Sequence, residues 1–136
     1  MQKYIGVKIV QAEPESKDGK EGFKVRYEEG YESWCPKDVF LKHNRPTEAM
    51  PFSFAIEAAK QGKKITRKGW NGKNQYVFLI PDYVFKREEI PALKDDPREE
   101  VTFWGCFCIM TSIGKVQMGW LATQSDMQAA DWEIVA

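Results

Sequence analysis

The sequence predicts an α+β fold: one main helix packed on an antiparallel sheet, with a small β-rich N-terminal extension. Three observations predict it. The stretch "PFSFAIEAAKQGKK" places Phe52, Ala55, Ile56 and Ala59 at i, i+3, i+4 and i+7, a single apolar helical face. Four or five short strand-like runs follow it, with turns between them and no second long helical pattern. Before it, "NRPTEAMP" combines two prolines with a polar cluster and marks a seam. The chain therefore divides into an extension over 1–46, containing a short helix, and an α+β domain over 47–136.

Taken in order, "KYIGVKIVQA" is rich in strand formers, and "EPESKDGKEG" is a polar turn. "FKVRYEEGYESWC" alternates, breaks at "EEG" and resumes, which reads as a hairpin. "PKDVFLKH" opens on Pro36, a residue suited to a first helical position, and predicts one or two turns. Pro51 starts the main helix, and Gly62 among lysines stops it. "KKITR" is a short strand, "GWNG" a turn and "NQYVFLI" a strand. The segment 81–100 carries three prolines and many charges, and reads as a long loop insertion with room for a helical turn. "VTFWGCFCIM" is apolar on both faces, so it predicts one central strand with Trp104 in the core. "KVQMGWLA" is its partner, "TQSDMQAA" a short helix or loop, and "DWEIV" a closing strand with Trp132 in the core.

Composition limits the function. Twenty basic and twenty acidic residues cancel in a chain of 136. No global field draws such a chain onto duplex nucleic acid, so any anionic ligand must be met by a local patch. No run approaches bilayer-spanning length, and the first ten residues lack a signal-peptide pattern, which predicts a cytosolic protein without a membrane partner. Three cysteines fit reduced thiols there. Cys106 and Cys108 share a strand face. With His43 the sole histidine, they make a poor zinc set and read as structural, so neither a metal nor a cofactor is expected.

Signatures of catalysis are thin. There is no phosphate loop, nucleophile elbow or HExxH motif. His43 reads as a solvated cation at a helix end, and the acid pairs of 95–100 as a solvated face. Asp126 and Asp131, both close to tryptophans, are more informative, though Asp126 equally fits a turn cap.

Binding signals are stronger. Trp70 and Trp120 each adjoin a glycine and a polar turn. An aromatic face stacks a nucleotide base for roughly 1–3 kcal/mol. Asn71, Thr123, Gln124, Ser125 and Asp126 are suited to a base edge or ribose. Arg67, Lys68 and Lys73 are suited to a phosphate. A small nucleotide fits this inventory, and so does a hairpin cover with incidental polar loops.

The stretch "MPFSFAIEAAKQGKKITRKGWNGKNQYVFLI", with "GWLATQSDMQAADWEIV" after it, resembles the second class of Thoeris anti-defence sponges of phages. The resemblance covers about residues 50–136, interrupted at 81–100; the extension lies outside it. It implies a small homotetramer in the cytoplasm of the infected bacterial host. Such a protein holds glycocyclic ADP-ribose signals without cleaving them, and some members hold cyclic dinucleotides at a separate site. Carried over by motif, Trp70, Asn71, Trp120, Ser125 and Asp126 are the expected contacts, beside Arg67 and Thr123 from the residue chemistry. A useful sponge binds at nanomolar strength, roughly 12 kcal/mol, which favours a site between subunits. Two other readings stand beside the sponge: an enzyme such as a phosphodiesterase, and a protein-interaction module working through the extension or the 81–100 segment. If the indole of Trp70 stacks on a ligand, Trp70→Ala weakens binding with little change in melting temperature.

Overall fold

A computed structural model describes residues 1–136. The extension is a three-stranded antiparallel sheet, β1 (Gln11–Pro14), β2 (Gly22–Arg26) and β3 (Glu32–Pro36), followed by α1 (Lys37–His43). The hairpin predicted from "FKVRYEEGYESWC" is present, with Phe23 opposite Cys35 and Val25 opposite Ser33. Phe23 stacks on Phe40 of α1 at 4.3 Å, which docks the helix on the sheet. A Cβ on Gly22 would stand 2.5 Å from the ring of Trp34, so the close strand crossing there requires glycine. Residues 1–10 form no strand despite their composition, and Tyr4 and Ile5 are exposed. A strand needs a hydrogen-bonded neighbour, and the chain offers this segment none.

The second unit is built on α2 (Phe52–Lys60), and the predicted periodicity is the one observed: Ala55 and Ala59 are buried, with Ala58 beside them. Gly62 ends the helix at a φ of 90°, in the left-handed region. The helix covers a five-stranded antiparallel sheet. Its members are β4 (Lys64–Arg67), β5 (Tyr76–Leu79), β8 (Phe107–Met110), β9 (Val116–Met118) and β10 (Trp132–Val135), in the order β10-β4-β5-β8-β9. Ile134 pairs with Ile65, and Ile65 with Val77, so these three stack under α2. Met50 exchanges backbone hydrogen bonds with Trp132 (2.8 and 3.2 Å) and covers the outer edge of β10. The core formed by Met50, Ala55, Ala58, Ala59, Ile65, Val77 and Trp132 lies between helix and sheet.

Two expectations are overturned between Ile80 and Phe107. The segment 81–100 is not a loop throughout: besides helical turns, at Arg87–Glu89 and Pro91–Leu93, it contains the strand β6 (Tyr83–Lys86). Nor is 101–110 one strand. β7 (Glu100–Phe103) pairs with β6 in a separate ribbon, and only β8 enters the main sheet. The break is at Gly105, whose N–H donates to Asp82 Oδ1 at 2.7 Å. A Cβ there would overlap Ile80 O and stand 2.7 Å from the Pro81 carbonyl carbon. This tight crossing turns the chain out of the sheet, so Trp104 is not core but 88% exposed. Cys108 is buried and Cys106 half-buried, with sulfurs 3.8 Å apart, and burial pushes the Cys108 thiol upward.

Between the extension and α2 runs a groove of about 650 Å³, lined by Val10, Phe40, Phe54 and Ile134 among others. The chain exposes 10473 Å². A compact monomer of 15.7 kDa exposes about 7300 Å². Val116, Met118 and Leu121 are exposed apolar side chains at the β9 end of the sheet, and residues 1–8 are exposed throughout.

Candidate functional site

The two turns singled out by the sequence meet in space. The first leaves β4 at Arg67, and its backbone closes with Trp70 N–H donating to Arg67 O at 3.3 Å. The second leaves β9 through Gly119, whose φ of 76° favours glycine. The N–H groups of Gly119 and Trp120 both donate to Phe107 O, at 3.1 and 2.9 Å. It then passes through Thr123 into α3 (Gln124–Gln128). Trp70, Trp120 and Trp132 pack edge to face, with centroids 5.3–6.2 Å apart. This geometry suits the aromatic quadrupole. Trp132 is fully buried, while Trp70 and Trp120 are half-buried.

Asp126 is the hub beneath them. Its Oδ1 accepts Arg67 Nη1–H at 2.8 Å and Trp70 Nε1–H at 3.0 Å. Its Oδ2 accepts Thr123 N–H at 3.0 Å, while its own N–H donates to Thr123 Oγ1 at 3.1 Å, completing a capping box. Its carbonyl accepts Trp132 Nε1–H at 2.9 Å. Arg67 also donates from Nε to Asp131 Oδ1 at 2.9 Å, and Asp131 Oδ2 accepts Gly69 N–H at 2.8 Å. A Cβ on Gly69 would stand 2.8 Å from Asp131 Oδ2, so a larger residue there would displace that carboxylate.

Burial alone would raise the Asp126 carboxyl, but hydrogen bonds from Thr123, Trp70 and Arg67 outweigh it and hold the group at about 2. Arg67 lowers Asp131, burial opposes, and Gly69 N–H assists. The guanidinium is raised above its usual value by bonding to Asp131 and then Asp126. At neutral pH one cation therefore faces two anions.

A model of the Thoeris anti-defense 2-like domain matches residues 50–135, a span that contains both turns. The chain belongs to the Thoeris anti-defense 2-like family. It is also 34% identical over 87 residues to a protein of Bacillus phage SP01 named Thoeris anti-defense 2, covering 64% of this chain and 96% of that one. The extension lies outside the family match. Membership makes this a Thoeris anti-defence protein of the phage type. No helix is long and apolar enough to cross a membrane.

Within this Thoeris anti-defense 2-like domain, the sequence-predicted site residues occupy two depths. Asn71, Thr123 and Ser125 are exposed around the half-buried Trp70 and Trp120. Arg67 and Asp126 lie behind them, their polar atoms already engaged. Lys68 is 57% exposed, 4.0 Å from Glu133, and Lys73 is exposed. Asp131 was absent from the predicted contact set. Its place beside Trp132 and within the closing family motif is the signal the sequence offers, since its partner Arg67 lies 64 residues away. The structure argues against the expectation that Trp70→Ala spares the melting temperature. The indole packs on the core and occupies a buried carboxylate, so truncation must also destabilise.

Proposed function

We propose that this protein sequesters a cyclic nucleotide immune signal, a glycocyclic ADP-ribose or a cyclic dinucleotide, without cleaving it, in the cytoplasm of an infected host. The observation that carries the reading is the convergence of the 69–72 and 119–126 turns on one tryptophan cluster. Trp70 and Trp120 supply aromatic surface, and Asn71, Thr123 and Ser125 supply exposed polar groups around it. Lys68 and Lys73 are the cations left to meet phosphates, because the charge of Arg67 is already matched. No three His, Cys, Asp or Glu side chains converge in a metal-ligating group, and nothing in the cluster has the geometry of a nucleophile with its base.

We further propose a homo-oligomer, a tetramer, with the ligand at a subunit boundary. Val116, Met118 and Leu121 are 47%, 54% and 86% exposed. They lead along β9 to the candidate site. Met118→Glu should therefore shift the sedimenting species toward monomer and weaken ligand binding together. Tight binding by a monomer would remove the interface reading. A second reading, a protein-interaction module, draws on the exposed Trp104 at the base of the β6–β7 ribbon.

The test is depletion and release. Excess protein is mixed with glycocyclic ADP-ribose isomers and a cyclic dinucleotide panel, filtered, heat-denatured and analysed by chromatography. Loss from the filtrate with intact recovery establishes sequestration. An altered product makes the protein an enzyme, and no loss of any compound favours the protein partner.

A further inference from the structure

We propose that Asp131, which does not belong to the candidate contact set, is a positioning residue. Through Arg67 it locks the two ligand-facing turns into one preformed site. The inference rests on the sequestration reading. The turns are separated by some fifty residues, and apart from the packing of Trp70 and Trp120 on Trp132 each is short and polar. Beside that aromatic packing, one continuous polar chain joins them: Gly69 N–H to Asp131 Oδ2 (2.8 Å), Asp131 Oδ1 to Arg67 Nε (2.9 Å), Arg67 Nη1 to Asp126 Oδ1 (2.8 Å), and Asp126 Oδ2 to Thr123 N–H (3.0 Å).

Each end of that chain is a backbone N–H in one of the turns. Asp131 thus fixes where the 69–72 turn begins, and Asp126 fixes where α3 begins. Arg67 spans both because its guanidinium presents rigid, fixed donors, which a lysine would not. Trp70 adds a second tie to the same carboxylate oxygen that receives Arg67. No buried side-chain nitrogen or oxygen lacks a hydrogen-bond partner. A closed network of this kind has one arrangement, so the walls at Trp70 and Trp120 stand in place before ligand arrives. Less ordering is then lost on binding.

Asp131 is also the least buried of the three charged groups, at 33% exposure against 17% for Arg67 and 9% for Asp126. It can therefore be altered with less damage to the fold than Asp126. In Asp131→Asn one oxygen is retained, and the amide replaces an acceptor with a donor facing either Gly69 N–H or Arg67.

The experiment measures glycocyclic ADP-ribose binding by the full chain at a temperature well below the melting transition, together with hydrogen exchange of the Trp70 indole N–H by NMR. Asp131→Asn should raise Kd at least tenfold, mainly through faster dissociation, and accelerate exchange at Trp70, with α2 and sheet amides unchanged. Gly69→Ala, which keeps every charge but pushes on Asp131 Oδ2, should do the same. Unchanged Kd and unchanged indole exchange in both variants would overturn the proposal. If the unmodified protein retains no nucleotide, the sequestration reading fails, while the indole exchange still decides whether Asp131 holds the turn.

Discussion

Asp126→Ala should lose about 3–5 kcal/mol of folding stability, the usual result of leaving a buried charge without its partner. The truncation removes the acceptor for Arg67 Nη1, Trp70 Nε1 and Thr123 N–H at one stroke. The remaining guanidinium, 17% exposed, has only Asp131 to answer it. By contrast, removing Glu32 from its pair with Arg26 should change stability by less than about 1 kcal/mol, because those side chains are 41% and 56% exposed. Urea denaturation of both variants checks the difference. Asp126→Asn falls between, since an amide keeps one acceptor but presents a donor to groups that are themselves donors. A fall in ligand affinity for Asp126→Asn therefore does not by itself show a ribose contact. A cycle that pairs Asp126→Asn with a ligand lacking the ribose hydroxyl does, because it reports the coupling between the carboxylate and that hydroxyl apart from the ties to Arg67, Trp70 and Thr123.

The same carboxylate sets the acid limit. Its folded-state value, about 2, lies below the ordinary 3.8. A depressed acid stabilises the fold above its unfolded value and loses that contribution as pH falls through the folded one. The stabilisation at neutral pH is about 2 kcal/mol for Asp126. Asp131, depressed by the same guanidinium, adds in the same direction. Melting temperature should therefore hold from neutrality to about pH 4 and then decline toward pH 2. The decline should be shallower in Asp126→Asn, whose side chain has no proton to gain.

Local periodicity made α2 legible, because four apolar positions on one face suffice to specify a helix that must cover a sheet. The hairpin of the extension was equally open to reading, its alternation and turn residues agreeing. Contacts across long separations were not. Arg67 and Asp126 are 59 residues apart, and nothing in the spacing of either reveals that a basic side chain assigned to phosphate is met by carboxylates of its own chain. The polar turns were visible, but which of their residues face solvent and which hold the turns together is decided by tertiary geometry. Gly105 did carry a local signal. A glycine inside an apolar strand pattern commonly marks a close backbone approach, and that approach splits the strand and expels Trp104.

Trp132 and Trp104 show how much depends on that one backbone crossing. Trp104 lies within "VTFWGCFCIM" and Trp132 within "DWEIV", and each reads as a core tryptophan. Trp132 is fully buried against Phe52 (5.5 Å between centroids), Trp70 and Trp120, and its indole N–H holds the carbonyl of Asp126. Trp132→Ala should cost about 3–5 kcal/mol through lost burial and the cavity left behind. Because that cavity opens directly behind the indoles of Trp70 and Trp120, the residual folded protein should, on the proposed sequestration, also bind nucleotide weakly. Trp104→Ala should leave the folding stability of the isolated chain within about 0.5 kcal/mol, since an 88% exposed ring loses little packing. Its effect should emerge only with protein concentration, as weaker self-association or loss of a protein partner. A Trp104→Ala variant that unfolds at low concentration would mean that the ring belongs to the fold of a single chain, and the β6–β7 ribbon would cease to be a candidate contact surface.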